Sequence, residues 1–347
     1  MCWVRDPVAE QRKTQADAAN TLRAIAEDYL SREAKSLRSI EERRRIFERY
    51  IYPRFGARQV EAIKRSEIVR LLDYVEDNSG PVMSDHVLAA LRRLMVWHAG
   101  RSDEFRSPIV RGMSRTKPKE RARNRVLSDN ELQAVWRASV RWDSPYAVLV
   151  RFILLTATRL REASNMRRDE VSGNEWLIPA PRHKSKTEFL LPLSMAAQDL
   201  FRGIPVIGRR GWVFTYDGQR PINGFTKAKR ELDRRVLEFL RQADPTAKPL
   251  PRWTNHDLRR TARSLMSRAG VDPDHAERCL GHVLAGVRGT YDRHQFAEKT
   301  AAFEALAQQI DLIVNPQVNV AQMRASDRTL AFAHPSASSF HRLSRST

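Results

Sequence analysis

Apolar residues recur every three to four positions over most of residues 21–97, which is the period of a helix with one buried face. The groups that show this period lie at 22–30, 40–50, 68–75 and 87–95. Gly and Pro residues stand between several of these groups, where a helix would end. The pattern predicts a bundle of about four helices with Arg and Lys on the polar faces.

The pattern changes after residue 100, where the chain becomes rich in Arg, Lys, Ser and Pro and poor in large apolar residues. Such a stretch is typical of a linker between domains, and its charge suits a phosphate backbone. The divisions we expect, in chain order, are an extension at 1–20, a helical domain at 21–110, a basic linker at 111–125, a second domain at 126–314 and a flexible tail at 315–347.

The second domain combines helical periods with one pair of short apolar runs. Ser128 and Glu131 have capping-box spacing before an apolar run, which predicts a helix start. Two apolar runs within 175–193 flank a basic turn and predict a β-hairpin. Further helices are predicted at about 146–156, 224–243, 255–269, 274–280 and 297–312. The predicted fold class is mainly α with a small β-sheet (α+β).

Charge gives the first indication of function. The 347 residues include 61 Lys and Arg against 41 Asp and Glu, a formal net charge of +20. A protein this basic usually binds a polyanion, most often nucleic acid.

Composition also excludes several classes of protein. Cys2 and Cys279 are the only cysteines, too few for a disulfide framework or a multi-cysteine zinc site. The most apolar stretch, 147–155, is interrupted by Arg151 and is too short to span a bilayer. The N-terminus lacks the apolar segment of a signal peptide. We therefore expect a cytoplasmic protein with no membrane partner.

Four segments hold side chains that could carry chemistry, although each is a weak signal alone. Arg159 and Glu162 lie three residues apart, a spacing more often found in a surface ion pair. His256 and Arg259 share one helical face in the same way. The remaining candidates are Lys184 at the hairpin tip, and His282 with Tyr291 nine residues later.

In chain order these residues form a series that resembles the tyrosine recombinase (phage integrase) family. The family pattern is an Arg, a Lys on a β-hairpin, His-x-x-Arg, a His or Trp, and then the nucleophilic Tyr. The matching stretches are TATRLRE, PRHKSKTEFLLPLS, HDLRR, LGH and GTYDRH. VLSDNEL at 126–132 and GFTKAKRELDRRV at 224–236 resemble the start and middle helix of the family's catalytic domain. The helical stretch before them resembles its core-binding domain, so the resemblance covers about residues 20–312.

The resemblance implies a phosphoryl transfer between DNA and protein. Tyr291 would attack the scissile phosphate, forming a covalent 3′-phosphotyrosyl link and releasing a 5′-hydroxyl. Because a tyrosine hydroxyl is mostly protonated at neutral pH, His256 and His282 would accept or relay its proton. Lys184 would protonate the leaving 5′-oxygen.

The remaining matched residues would bind the phosphate or support those that do. Arg159 and Arg259 would stabilise the negative charge of the transition state with their planar guanidinium groups. Glu162 would orient its neighbours. No cofactor is implied, since the chain lacks both the paired carboxylates of a two-metal nuclease and a Walker-type loop.

The expected partner is double-stranded DNA, bound by a homotetramer on synapsed sites. An excisionase or a DNA-bending protein is the expected accessory factor. The function implied is integration or excision of a prophage or genomic island in the cytoplasm of a prokaryote, at the nucleoid.

Two features depart from the family pattern. The family often has Gly between Thr156 and Arg159, where this chain has Ala157 and Thr158, so we expect a small change in the turn. Many integrases also carry an N-terminal arm-binding domain, and the stretch WVRDPVAEQRK resembles the segment that follows it. We expect that domain to be missing here, or the sequence to start late.

Two other functions remain open at this point. A catalytically inactive DNA-binding remnant of a mobile element would bind DNA in a salt-sensitive way without forming an adduct. A type IB topoisomerase would use similar chemistry to relax supercoiled DNA as a monomer.

Overall fold

The computed structural model describes residues 20–33, 39–117, 120, 123–282 and 296–316. The chain divides into two compact units, Met1–Arg123 and Asn124–Thr347, each with its own hydrophobic core. No helix within the described ranges is long and apolar enough to cross a membrane.

The first unit is a helical bundle built from the apolar groups that the sequence pattern identifies. Its helices are α1 Leu22–Arg32, α2 Ile40–Ile46, α3 Tyr52–Phe55, α4 Arg65–Ser79 and α5 Pro81–Ala99. A π-helical turn, Phe47–Ile51, joins α2 to α3, and a 3₁₀ turn, Val60–Ala62, precedes α4. Residues at the predicted period, such as Leu71, Leu91 and Leu94, are fully buried.

The connection between α4 and α5 shows how the chain reverses with almost no loop. Gly80 adopts φ +84, a backbone conformation that side chains disfavour, and Pro81 opens α5. Proline at the first helical position loses no hydrogen bond, since that N–H has no partner within the helix. The two helices therefore pack against each other directly.

The chain that follows α5 packs on the first unit as far as Arg115, within the basic stretch. Phe105 and Met113 are buried in the bundle core. The Arg115 side chain forms ion pairs with Asp73 and Glu76 of α4. At least one positive charge of the basic stretch is thus paired within the protein.

The second unit holds the remaining helices around a small sheet. These helices are α6 Asp129–Val140, α7 Pro145–Thr156, α8 Leu160–Ser164, α9 Met195–Arg202, α10 Phe225–Ala243, α11 Asn255–Arg268, α12 Pro273–Cys279 and α13 Phe296–Val314. Ser128 and Glu131 form the predicted capping box at the start of α6, with the Glu131 carboxylate accepting from the Ser128 N–H at 2.8 Å.

The predicted hairpin is part of a three-stranded antiparallel sheet. Its strands are β1 Val171–Ser172, β2 Glu175–Ile178 and β3 Phe189–Pro192, in the order β1-β2-β3. Trp176 pairs with Leu191 across β2 and β3, and both side chains are buried. The two-residue strand β1 was not predicted, since two residues are too few to show an alternation.

Helix α7 lies at the centre of the second core. Its sequence is apolar on nearly every side, because α6, α9, α11 and α13 all pack against it. Phe152 contacts Trp176 of the sheet and Phe214 at ring-centroid distances of 5.6 and 5.5 Å. The predicted fold class, mainly α with a small β-sheet, is confirmed.

Candidate active site

Arg159 lies at the sharp turn between α7 and α8. It is the N-cap of α8, and Glu162 occupies the third position of that helix. The Glu162 carboxylate accepts from the Arg159 backbone N–H at 3.0 Å and from its Nη1 at 2.7 Å. Glu162 is 3% exposed, so this acid both caps the helix and fixes the direction of the arginine.

Ala157 is one of the two residues between Thr156 and Arg159, where the family often has a glycine, and it forms the bend of that turn. It ends α7 with φ +50 and ψ 24, in the left-handed region, and it is fully buried. Glycine adopts this conformation freely, whereas a residue with Cβ pays roughly 1–2 kcal/mol. In this chain the left-handed position of the turn is therefore taken by an alanine rather than by a glycine.

Arg259 connects the Arg159 turn to the His282 turn. It projects from α11 and is 5% exposed. Its Nη1 donates to the Ala157 carbonyl at 2.6 Å, and its Nη2 donates to the Leu280 carbonyl at 2.6 Å. Burial, reinforced by the positive charge of Arg159, lowers the pKa of Arg259 to about 10. The guanidinium therefore stays charged at neutral pH.

His256 stands at the first turn of α11, on the same face as Arg259. Asp257, fully buried, caps this helix by accepting from the Thr254 N–H at 2.8 Å. Partial burial of the His256 ring, with the charges of Arg260 and Arg259, lowers the pKa of His256. The imidazole is therefore neutral at pH 7 and able to accept a proton.

His282 is joined to Arg259 on one side and to an acid on the other. The His282 Nε2 lies 3.2 Å from Arg259 Nη2, and its Nδ1 lies 2.5 Å from a Glu277 carboxylate oxygen. Arg263 Nε donates to the other Glu277 oxygen at 2.9 Å. Burial would raise the pKa of Glu277, but the bonds from Arg263 and His282 outweigh it and the pKa falls.

Glu277 and Arg263 were not predicted from the sequence. Glu277 lies five residues before His282 and on a different element from Arg263. One acid and one base fourteen positions apart do not form a distinctive pattern. The acidic residue three positions before Leu-Gly-His was a signal that could have been followed.

The predicted residues fall into three groups by position. Arg159, Glu162, His256, Arg259 and His282 belong to one connected region, held by hydrogen bonds and by the mutual influence of their charges. Lys184 lies in the β2–β3 connection, with its side chain exposed as the hairpin prediction required. Tyr291 lies outside the described residues, within 283–295.

This arrangement can stabilise an oxyanion. The Arg259 guanidinium contacts the His282 imidazole, is close enough to feel the charge of Arg159, and is held by two backbone carbonyls. Charges fixed in this way do not have to reorient when negative charge develops in the transition state. This pre-orientation is usually the largest single electrostatic contribution to catalysis. Phosphate is a natural ligand for such paired guanidinium forks.

Comparison with known proteins agrees with this chemistry. The phage integrase family model matches residues 125–298, half of the chain. The chain belongs to the phage integrase family, and it is a DNA strand transferase of the tyrosine recombinase type. It is 24% identical over 332 residues to prophage integrase IntZ of Escherichia coli K12, covering 89% of this chain and 77% of that protein.

Solved structures show the same fold at low sequence identity. A lambda integrase tetramer bound to a Holliday junction matches with a TM-score of 0.59 and 13% identity, covering 85% of each chain. The Tn1549 transposon integrase in complex with circular intermediate DNA matches with a TM-score of 0.56 and 13% identity, covering 88% of this chain and 99% of that one.

Proposed function

We propose that this protein is a site-specific recombinase that cuts and rejoins DNA through a covalent 3′-phosphotyrosyl link, and that it integrates or excises a prophage or genomic island. The observation that carries the proposal is the position of Arg259. One buried guanidinium joins the turn of Arg159 to the turn of His282, so three phosphate-binding groups are set in one region.

In the proposed cleavage step each matched residue has one role. The Oη atom of Tyr291 attacks phosphorus, its proton passes to neutral His256, and a bond from Oη to phosphorus forms. Arg159, Arg259 and His282 stabilise the nonbridging oxygens. The bond from phosphorus to the 5′-oxygen breaks as Lys184 supplies a proton to that oxygen. Ligation reverses these steps, so the bond energy is conserved and no nucleotide is consumed.

The two units have separate roles in this proposal. The helical unit acts as the core-binding domain, the basic stretch at 111–125 lies along the phosphate backbone, and the second unit carries the chemistry. The active form is a homotetramer on synapsed duplexes, in the prokaryotic cytoplasm, assisted by an excisionase or a DNA-bending protein. The lambda integrase tetramer on a Holliday junction supports the tetramer by analogy of fold.

Covalent trapping tests the proposed activity. The full chain is incubated with nicked duplexes that tile the DNA flanking its coding region, so that the short 5′-hydroxyl fragment is lost after cleavage. We expect an SDS-resistant protein–DNA adduct on a small subset of duplexes. Salt-sensitive binding without an adduct on any duplex would instead indicate a DNA-binding remnant. Relaxation of plasmids that lack those sites would indicate a topoisomerase.

Glu162 gives a second, graded prediction. Replacing it with Ala removes the cap and releases Arg159, so we expect single-turnover cleavage to fall ~10²-fold, the effect of a displacement of about 1 Å in a catalytic group. Glu162→Gln keeps one acceptor and should lose less. Binding to the same duplex should change little, since the ion pair lies within the protein.

Asp199 is the matched control for this variant. It forms an ion pair with Arg202 at the same i, i+3 spacing, but both side chains are more than half exposed. Exposed pairs contribute only about 0–1 kcal/mol, so Asp199→Ala should cleave like the wild type. Equal cleavage rates for Glu162→Ala and Asp199→Ala would show that Glu162 does not contribute to the function of the site.

A further inference from the structure

A buried histidine directly precedes the exposed lysine of the β2–β3 connection. His183 is 3% exposed, whereas Lys184 lies in solvent. The His183 N–H donates to the Pro179 carbonyl at 3.1 Å. Its Nδ1 lies 3.2 Å from the Thr187 carbonyl oxygen and 2.8 Å from Ser185 Oγ. The ring therefore ties the two sides of the connection together around the lysine.

The preceding residue strengthens this anchor. Arg182 forms an ion pair with Glu170, and its Nη1 lies 2.8 Å from Glu170 Oε1. Both side chains are largely buried. Lys184 thus follows two anchored residues, which link its backbone position to the body of the unit.

His183 also packs against the turn that carries His282. Gly281 adopts φ +63, and a Cβ atom there would lie 2.7 Å from His183 Nε2. Such a distance is shorter than any ordinary contact between a carbon atom and a nitrogen atom. The close approach needs glycine at 281, and it places the His183 ring one residue from His282.

Phe189 extends the cluster towards the helix that follows the Tyr291 segment. The His183 and Phe189 rings stack at 4.8 Å with an interplanar angle of 13°. The Lys299 ammonium of α13 lies 5.1 Å from the centroid of the Phe189 ring and donates to the Leu190 carbonyl at 2.8 Å. The hairpin, the His282 turn and α13 therefore meet around two stacked rings.

The charged groups of the candidate site affect the pKa of the His183 ring. Burial lowers the pKa of His183, and the positive charges of Arg159 and Arg259 act in the same direction, against Glu162 and the Thr187 carbonyl. The ring is therefore neutral at pH 7. Its Nδ1 carries the proton when it donates to the Thr187 carbonyl, because a carbonyl oxygen can only accept.

We propose that His183 is a positioning residue that fixes Lys184 relative to the Gly281–His282 turn, so that the ammonium reaches the leaving 5′-oxygen while His282 and Arg259 hold the phosphate. The inference rests on the proposed function, because it assigns His183 to the proton transfer from Lys184. His183 itself touches no DNA in this role.

A substrate with a different leaving atom distinguishes a positioning role of His183 from a purely structural one. In the natural substrate, the bond from phosphorus to the 5′-oxygen breaks and the oxygen needs a proton. With sulfur at that bridging position, the phosphorus–sulfur bond breaks and a thiolate leaves. A thiol has a pKa of about 8.5, against 15.7 for water, so the thiolate leaves without a proton. A defect confined to Lys184 should therefore disappear on the sulfur substrate.

We expect His183→Ala to cleave the oxygen substrate ~10²-fold more slowly, the lower range of a general-acid contribution, and to cleave the sulfur substrate like the wild type. Lys184→Ala should show the same pattern. Lys186→Ala, which removes a neighbouring exposed lysine, should cleave both substrates normally. His183→Phe, which keeps the stack on Phe189, serves if the alanine variant does not fold.

A pair of glycine variants tests the contact itself. Gly281→Ala should slow cleavage of the oxygen substrate in the wild type, and should have a smaller effect in the His183→Ala background, where the clash is gone. Gly270 is the matched control, since it has φ +79 with nothing within 4 Å of an added Cβ. Gly270→Ala measures backbone strain alone, and its effect should be the same in both backgrounds.

Each outcome decides one point. If His183→Ala, or His183→Phe in its place, loses equal activity on both substrates, the residue has only a structural role and the proposal is wrong. An additive effect of Gly281→Ala and His183→Ala overturns the contact between them. If the wild type forms no adduct with either substrate, the proposed function fails instead, independently of His183.

Discussion

Tyr291→Phe is expected to abolish the covalent protein–DNA adduct. The substitution keeps the aromatic ring but removes the only oxygen that could form the new bond to phosphorus. A missing nucleophile cannot be replaced by better positioning, so the adduct should fall below detection on every duplex that traps the wild type. Binding to the same duplexes should persist with the same dependence on salt, because phosphate contacts come from Lys and Arg.

Tyr216 provides the control for this experiment. It is an exposed tyrosine of the second unit, and its hydroxyl lies 3.4 Å from Ser144 Oγ. Tyr216→Phe removes a hydroxyl of the same kind and should form the adduct at the wild-type rate. An adduct that persists in Tyr291→Phe would show that another residue is the nucleophile.

The fold was predictable where one face of an element is buried. The groups ending at Leu30 and Met95 and the capping pair of Ser128 and Glu131 gave helices at the predicted positions. Their spacing reflects burial on one side, which is a local property of the sequence. Strand β1 was missed because it is too short for any period to appear.

The sequence predicts the residue types of the candidate site, but it does not predict the contacts between them. The order of Arg159, His256, Arg259 and His282 gave the family pattern, because those residues are chemically distinctive. The bridge from Arg259 to the Ala157 and Leu280 carbonyls involves backbone atoms, which every residue has. No sequence pattern marks a carbonyl that will accept a long-range hydrogen bond.

Glu277 and Arg263, which support His282, were not predicted for a related reason. Glu277 meets His282 through a turn, whereas Arg263 meets Glu277 only because α11 and α12 pack together. Such contacts between elements depend on how the helices pack. Hydrophobic periodicity indicates which face of a helix is buried, but it does not indicate which other element packs against that face.

Arg259→Lys is expected to slow cleavage ~10²–10³-fold, the loss found when one fixed donor to a developing oxyanion is removed. Lysine keeps the positive charge, but a single ammonium cannot span the carbonyls of Ala157 and Leu280 and also face His282 and a phosphate. Single-turnover trapping on a saturating duplex measures this rate. Affinity for DNA should change little by comparison, because one buried charge is retained.

Arg259→Ala should be worse in two separate ways. The site loses its central cation, and two buried carbonyls lose their donor, at about 1–3 kcal/mol for each unpaired group. We therefore expect both the loss of cleavage and a lower midpoint of denaturation, whereas Arg259→Lys should lose mainly cleavage. Comparing the two variants separates catalysis from folding.

Arg268 tests whether position, rather than positive charge on the same helix, is what matters. It lies on α11 with its side chain about half exposed and pairs with Asp129 at 2.7 Å. Arg268→Ala removes the same charge from the same element but breaks only a surface ion pair, worth about 0–1 kcal/mol. If Arg268→Ala cleaves normally and Arg259→Lys is much slower, the loss of cleavage is due to the Arg259 guanidinium, which joins the two turns. Equal rates in Arg259→Lys and the wild type would instead mean that this bridge is structural, and that the phosphate is held by other groups.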